Sequence, residues 1–189
     1  MGEDHRWGPP LGGPAQIAGN TDCQHMCMRP RHPEPLKTFS YIGFHRYFLT
    51  FCTFNRVRAF TSKMHVEVAY VQIVRAAREC SFAIPAYCFM PDHLHLLIEA
   101  KSESSDARDF IKRAKQYSGF CYSKTFGFRL WQRCGYDHVL RDDEKTLVVA
   151  RYILQNPLRA HLVTRVEDYP FIGSPEWPLE ALLDWIRKE

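Results

Sequence analysis

Two short apolar runs with almost nothing between them constrain this chain more than any other feature. Phe82–Met90 and Leu94–Ile98 are too short for helices of this apolarity and have the make-up of strands, and Pro91-Asp92 between them is turn chemistry. The two runs should therefore pair as a hairpin. Further strands and helices fall around it in a definite order. Arg46–Phe54 is rich in aromatic and β-branched residues and stops at Asn55-Arg56, which predicts a strand. A helix capped by Thr61 or Ser62 should run to Glu79, with Met64, Val68, Val71, Val74 and Ala77 as its apolar positions. Asp106 can cap a second helix, whose stripe is Ala107, Phe110, Ile111, Ala114, Ser118 and Cys121. Trp131–Leu140 reads as a fourth strand, weakened at Gly135.

The order β-α-β-β-α-β predicts an α+β fold of the ferredoxin-like, split β-α-β type, with an antiparallel sheet backed by two helices on one face. Extra C-terminal helices follow. One should run from Asp142 or Asp143 to about Gln155, where Asn156-Pro157 stops it, and another carries Trp177, Leu182, Leu183, Trp185 and Ile186 at amphipathic spacing. The domain spans 41–172, with 173–189 as a helical tail packed on it. Residues 1–40 hold six of the twelve prolines and five of the ten glycines without apolar periodicity, which predicts a flexible arm. Met26 and Met28 near its end allow for an early start codon, with residues 1–27 then untranslated. Within the arm, Cys23-x-His25-x-Cys27 lacks the paired spacing of a zinc module.

With 46% hydrophobic and 24% charged residues the chain can bury a core and is not a disordered protein. It has no apolar run near the length of a membrane span and no basic, apolar start, so it is expected in the cytoplasm, as a monomer or homodimer. Seven scattered cysteines read as reduced, mostly buried thiols. The net charge of +4 conceals a segregation. Arg108 to Arg165 holds twelve Lys/Arg against five Asp/Glu, and Tyr117, Tyr122, Phe126, Trp131 and Tyr136 are mixed among them. Scattered charge of this kind usually marks solvated helix faces; the alternative is a polyanion-binding surface, since cations with aromatic rings suit unpaired nucleic acid, which offers phosphates and stackable bases.

The densest chemical signal is Met90-Pro91-Asp92-His93-Leu94-His95-Leu96-Leu97-Ile98-Glu99. Alternation on a strand puts His93 and His95 on one face, where two imidazoles can hold a divalent metal such as Mg²⁺ or Mn²⁺ or can be ordinary sheet histidines. Glu99 shares that face but lies about 13 Å along the strand from His95, too far for the same ion. On the second helix Arg113, Tyr117, Cys121 and Lys124 fall on one side. Tyr117 is either a packing residue or a nucleophile beside the sheet.

The segment Phe89-Met90-Pro91-Asp92-His93-Leu94-His95-Leu96-Leu97-Ile98-Glu99 resembles the His-hydrophobic-His segment of the REP-associated tyrosine transposases, which act on single-stranded DNA with one tyrosine. Three further blocks are similar and in the same order: 110–120 around Tyr117, 130–140 around Trp131, and Arg151-Tyr152-Ile153-Leu154-Gln155-Asn156-Pro157-Leu158-Arg159-Ala160-His161-Leu162-Val163. The resemblance covers about 41–172. It implies a ferredoxin-like fold, a divalent ion on His93 and His95, and attack by Tyr117 on DNA near hairpins of repeated palindromes, giving a 5′-phosphotyrosine and a free 3′-hydroxyl. Arg113, Lys115, Arg129, Arg133, Arg151 and Arg159 are candidate phosphate contacts and Trp131 a candidate stacking residue. Relatives carry a polar amide one helical turn after the tyrosine, whereas Cys121 follows Tyr117 here. The competing expectations are a noncatalytic single-strand DNA or RNA binder on the same fold, and a metal phosphodiesterase that uses water.

Overall fold

In the computed structural model, residues 40–140 and 146–188 are described. Their element order is β1 (Arg46–Thr53), α1 (Lys63–Glu79), β2 (Phe82–Met90), β3 (His93–Ala100), α2 (Ala107–Phe126), β4 (Trp131–Val139), α3 (Thr146–Leu154), α4 (Asn156–Arg159), β5 (Ile172–Gly173) and α5 (Leu179–Lys188). The sheet order is β4-β1-β3-β2-β5 and every pairing is antiparallel. The β-α-β-β-α-β expectation holds. The Pro/Gly-rich arm and its Cys23-x-His25-x-Cys27 lie outside the described residues, apart from Ser40.

Strand alternation sorts the apolar residues into two cores. Leu49 and Phe51 of β1, Phe82, Ile84 and Phe89 of β2, and Leu94, Leu96 and Ile98 of β3 share one core with α1 and α2. Ala86, Cys88 and Met90 of β2 and Leu97 of β3 share the other with Ala150, Ile153 and Leu154 of α3 and Leu182 and Leu183 of α5. The sheet is thus covered on both faces, not backed on one, which is why β3 is nearly continuously apolar. Pro85 falls where the β2–β3 register shifts, between Ala83 and Ala86, a position at which a missing backbone N–H costs no ladder bond.

Both helices on the first face differ from the sequence reading in which residues they bury. In α1 the buried residues are Val66, Ala69, Ile73, Ala76 and Ala77, while Met64 and Val71 are exposed at 59% and 52%. Val66 and Ile73 fit a helical stripe as well as the predicted residues do, and only the position of the sheet decides between them. In α2, Asp106 caps as expected, accepting from the Arg108 and Asp109 amides, but Tyr122 takes the core place predicted for Cys121. Helix α3 is described only from Thr146, and the chain passes Asn156-Pro157 into the short α4.

The cysteine expectation holds for Cys80, Cys88 and Cys121, which are free thiols, and fails for Cys52, which is disulfide-bonded. Pairing depends on which sulfurs the fold brings together, and neither count nor spacing reveals that. No helix among the described residues is long and apolar enough to cross a membrane.

Candidate active site

His93 and His95 occupy consecutive positions on one face of β3. Opposite them in the β1 register stand Cys52 and Thr50. The rings meet edge to face, and their Nε2 atoms lie 3.1 Å apart. Each Nδ1 is engaged elsewhere: His93 Nδ1 meets Asp92 Oδ1 at 2.6 Å, and His95 Nδ1 meets Thr50 Oγ1 at 2.9 Å. Asp92 is itself paired with Arg56, whose Nε lies 2.9 Å from Oδ2. When each Nδ1 carries its proton and donates outward, both Nε2 lone pairs face the same point.

Burial fixes the electrostatics of the pair. His95 is 3% exposed, and burial, reinforced by the charges of His93, Arg159 and Arg56, holds its pKa well below the usual value for histidine. It therefore stays neutral, the form that ligates. Burial would raise the Asp92 pKa, but the hydrogen bond and charge of His93 together with the charge of Arg56 outweigh it and keep the carboxyl below its ordinary range. An anionic Asp92 orients the neighbouring imidazole.

The donor set fits a divalent ion. Two nitrogens bound at about 2.1 Å to one ion at a right angle would lie about 3.0 Å apart, close to the spacing found here. Among the described residues no third His, Cys, Asp or Glu completes a cluster.

The structure does not bring Tyr117 to the histidines. Tyr117 packs with the α1–α2 core, and its hydroxyl donates to Glu79 Oε2 at 3.0 Å and accepts from Arg113 at 3.4 Å, with the Arg75 guanidinium 4.8 Å from the ring centre. The sheet stands between it and the histidines, because β3 sends Leu94 and Leu96 to that side and His93 and His95 to the other. Cys121, on the same helix as Tyr117, has no bearing on the histidine face. Arg113 is also committed there, to Asp109 and Glu79.

Tyr152 of α3 lies on the histidine side instead. Phe48 bridges the two, its ring 5.3 Å from that of His95 and 5.8 Å from that of Tyr152. The Arg159 guanidinium covers the Tyr152 ring at 3.8 Å and also donates to the Tyr152 carbonyl. Asn156, one turn on, donates its amide to the Tyr152 and Ile153 carbonyls, and among the described residues its Oδ1 accepts no hydrogen bond. Within the 151–163 block, Tyr152 and Asn156 have the tyrosine-to-amide spacing that Tyr117 and Cys121 lack.

The remaining candidates disperse. Trp131, expected to stack on bases, is 5% exposed, and its indole donates to Ser118 Oγ at 2.7 Å. Lys115 donates to the Gln132 and Arg133 carbonyls of β4. Arg129 and Arg133 are exposed at the start of that edge strand, while Arg151 is half-buried on α3.

A five-stranded antiparallel sheet covered by helices is an architecture found among transposases. The sequence pattern of the family described as "Transposase IS200 like" matches residues 43–156, and the chain belongs to that family. Among its relatives is a candidate REP-associated tyrosine transposase of Haemophilus influenzae, 25% identical over 142 residues, covering 66% of this chain and 77% of the relative. A REP-associated tyrosine transposase of Escherichia coli is 30% identical over 103 residues, covering 52% of this chain and 58% of its own length. A solved REP-associated tyrosine transposase bound to a REP hairpin shares the fold, with a TM-score of 0.60, 22% identity and coverage of 71% of this chain and 79% of the other.

Proposed function

We propose that this transposase cleaves and rejoins single-stranded DNA at hairpin-forming repeats, with Tyr152 as the nucleophile and His93 and His95 holding a divalent ion, Mg²⁺ or Mn²⁺. The observation that carries this reading is the placement of the paired Nε2 atoms and Tyr152 on one sheet face, joined through Phe48. The hairpin-bound structural relative and the named relatives support the substrate class.

The Tyr152 phenol loses its proton as its oxygen forms a bond to phosphorus. The phosphorus–O3′ bond breaks, and the departing oxygen takes up a proton to become a free 3′-hydroxyl, leaving a 5′-phosphotyrosine. A second 3′-hydroxyl reverses these events and joins a new strand. A bound divalent ion would supply charge neutralisation at the scissile phosphate. The chain's own groups do the positioning: Asp92 and Thr50 fix the imidazoles, Arg159 holds the tyrosine ring from one face, and Asn156 offers an amide oxygen beside the nucleophile's helix turn. Arg151 and Arg159 supply positive charge for phosphate on this face.

Incubation with hairpin-bearing single-stranded DNA and Mn²⁺, followed by a denaturing gel, tests the assignment. Tyr152→Phe should abolish the covalent adduct and Tyr117→Phe should retain it. The opposite pattern would refute the Tyr152 reading. Strand cleavage that survives Tyr152→Phe without an adduct would indicate a water nucleophile.

A further inference from the structure

Away from the histidine face, a cleft of about 470 Å³ opens at the sheet edge between α2 and the first residues of β4. Its walls include Lys115, Gln116, Phe128, Arg129 and Arg133, and among the described residues no carboxylate lines it. The volume is that of a small-ligand site. We propose that this cleft holds an unpaired nucleotide of the DNA strand, so that the strand passes over the β4 edge as well as through the active face. The inference rests on the reading of the chain as acting on single-stranded DNA, and adds a second station to it.

The local sequence builds two flat surfaces there. Gly127 ends α2 in the left-handed region, at φ +80°, which turns the chain back so that Phe128 and Arg129 stand beside the helix that precedes them. Phe128 is 40% exposed and is braced edge to face by the buried Tyr122, with ring centres 5.4 Å apart. Arg129 is held flat: its Nε donates to the Trp131 carbonyl at 2.9 Å, and its guanidinium lies 4.7 Å from the ring centre of Phe54. A phenyl face and an immobilised guanidinium plane are the surfaces on which bases of any sequence stack.

The remaining walls supply charge and hydrogen bonding. The Arg133 guanidinium is exposed and makes no hydrogen bond or ion pair among the described residues, so a phosphate can engage it without breaking an existing contact. Lys115 contributes its charge from a fixed place beneath β4. Gln116 is exposed and carries both donors and an acceptor for a base edge. A Cβ on Gly119 would stand 3.4 Å from Trp131 Cδ1, in van der Waals contact with the indole at the cleft floor.

The test is equilibrium binding by the full-length protein carrying Tyr152→Phe, in EDTA, so that neither chemistry nor metal contributes. The probes are a fluorescent oligothymidylate and a hairpin with a single-stranded flank. Arg133→Ser should reduce the slope of log affinity against log salt by about 0.7, the value for one phosphate contact to a single strand. Phe128→Ala should weaken oligothymidylate binding at least about fivefold, and Phe128→Trp should restore it. Because Phe128 also touches Tyr122, the Trp variant separates lost stacking from lost packing. Wild-type affinity and salt slope in both Arg133→Ser and Phe128→Ala would overturn the inference. The two readings fail separately: an adduct on Tyr152 with unaltered binding in these variants removes the cleft alone, whereas the expected binding losses without an adduct leave the cleft and remove the catalytic proposal.

Discussion

Thr50→Val tests whether the His95 imidazole is held for a metal by a single buried hydrogen bond. Thr50 is 1% exposed and stands directly opposite His95 in the β1–β3 register, its hydroxyl 2.9 Å from Nδ1. Valine keeps the shape and removes the acceptor. In the ligating tautomer the Nδ1–H is then buried without a partner, at a cost of about 1–3 kcal/mol. The protein without metal has an escape. Moving the proton to Nε2 lets His95 donate to His93 Nε2, 3.1 Å away, and recovers part of that loss. That same shift removes the lone pair a metal needs.

Stability and metal affinity should therefore respond unequally. In EDTA the melting temperature should fall by only about 2–4 °C, corresponding to about 1 kcal/mol in a protein of this size. Affinity for Mn²⁺ should fall about 10- to 100-fold, the usual effect of losing an outer-sphere partner of a metal-binding histidine. Isothermal titration calorimetry with Mn²⁺ measures the second quantity, and Thr50→Ser, which restores the hydroxyl, should return it to near wild type. If Thr50→Val binds Mn²⁺ within about twofold of wild type while folded, the outward-donating Nδ1 has no part in ligation and the reasoning fails.

Two further predictions concern the same face. The folded-state pKa of His95 lies below its unfolded value of 6.5, so the unfolded chain binds the extra proton first; stability in EDTA should be full above about pH 6.5 and decline as pH falls toward the folded-state value. Asp92 adds a loss of the same sign below about pH 4. Thermal melts at stepped pH, with His95→Gln expected to flatten the upper part of the decline, check this; an unchanged profile in that variant would assign the decline to other groups. Arg159→Leu removes the guanidinium from the Tyr152 ring, an interaction of about 0.5–2 kcal/mol, so the single-turnover rate of adduct formation should fall roughly 2- to 30-fold. Arg159→Lys should recover only part of it, and an unchanged rate in Arg159→Leu would deny the residue a positioning role.

How much of this was legible in the sequence depended on the range of the information each feature needs. Strands β1 and β2 and the Asp106 cap follow from local composition and one side-chain hydrogen bond, and all were readable. The His93 and His95 alignment was readable as well, since a strand's two-residue period is rigid. Which stripe of α1 would be buried was not, because Met64 with Val71 and Val66 with Ile73 offer equally periodic apolar faces. The fate of Trp131 was also hidden. Its burial depends on Ser118, thirteen positions earlier, accepting from the indole across the α2–β4 contact.

The tyrosine was the costliest ambiguity, and its cause is topological. Had only one face been covered, strand parity would have set Leu94 and Leu96 under the helices and left His93 and His95 facing away from Tyr117 all the same. Here both faces are covered, so strand parity sends Leu94 and Leu96 toward α1 and α2 and sends His93 and His95 toward α3. The proposed nucleophile, Tyr152, accordingly comes from a helix that follows β4, not from the crossover helix between β3 and β4. Under the Tyr152 proposal the Tyr152 to Asn156 spacing supplies the tyrosine-to-amide pattern, and Cys121, on the opposite face with Tyr117, lies outside the proposed site.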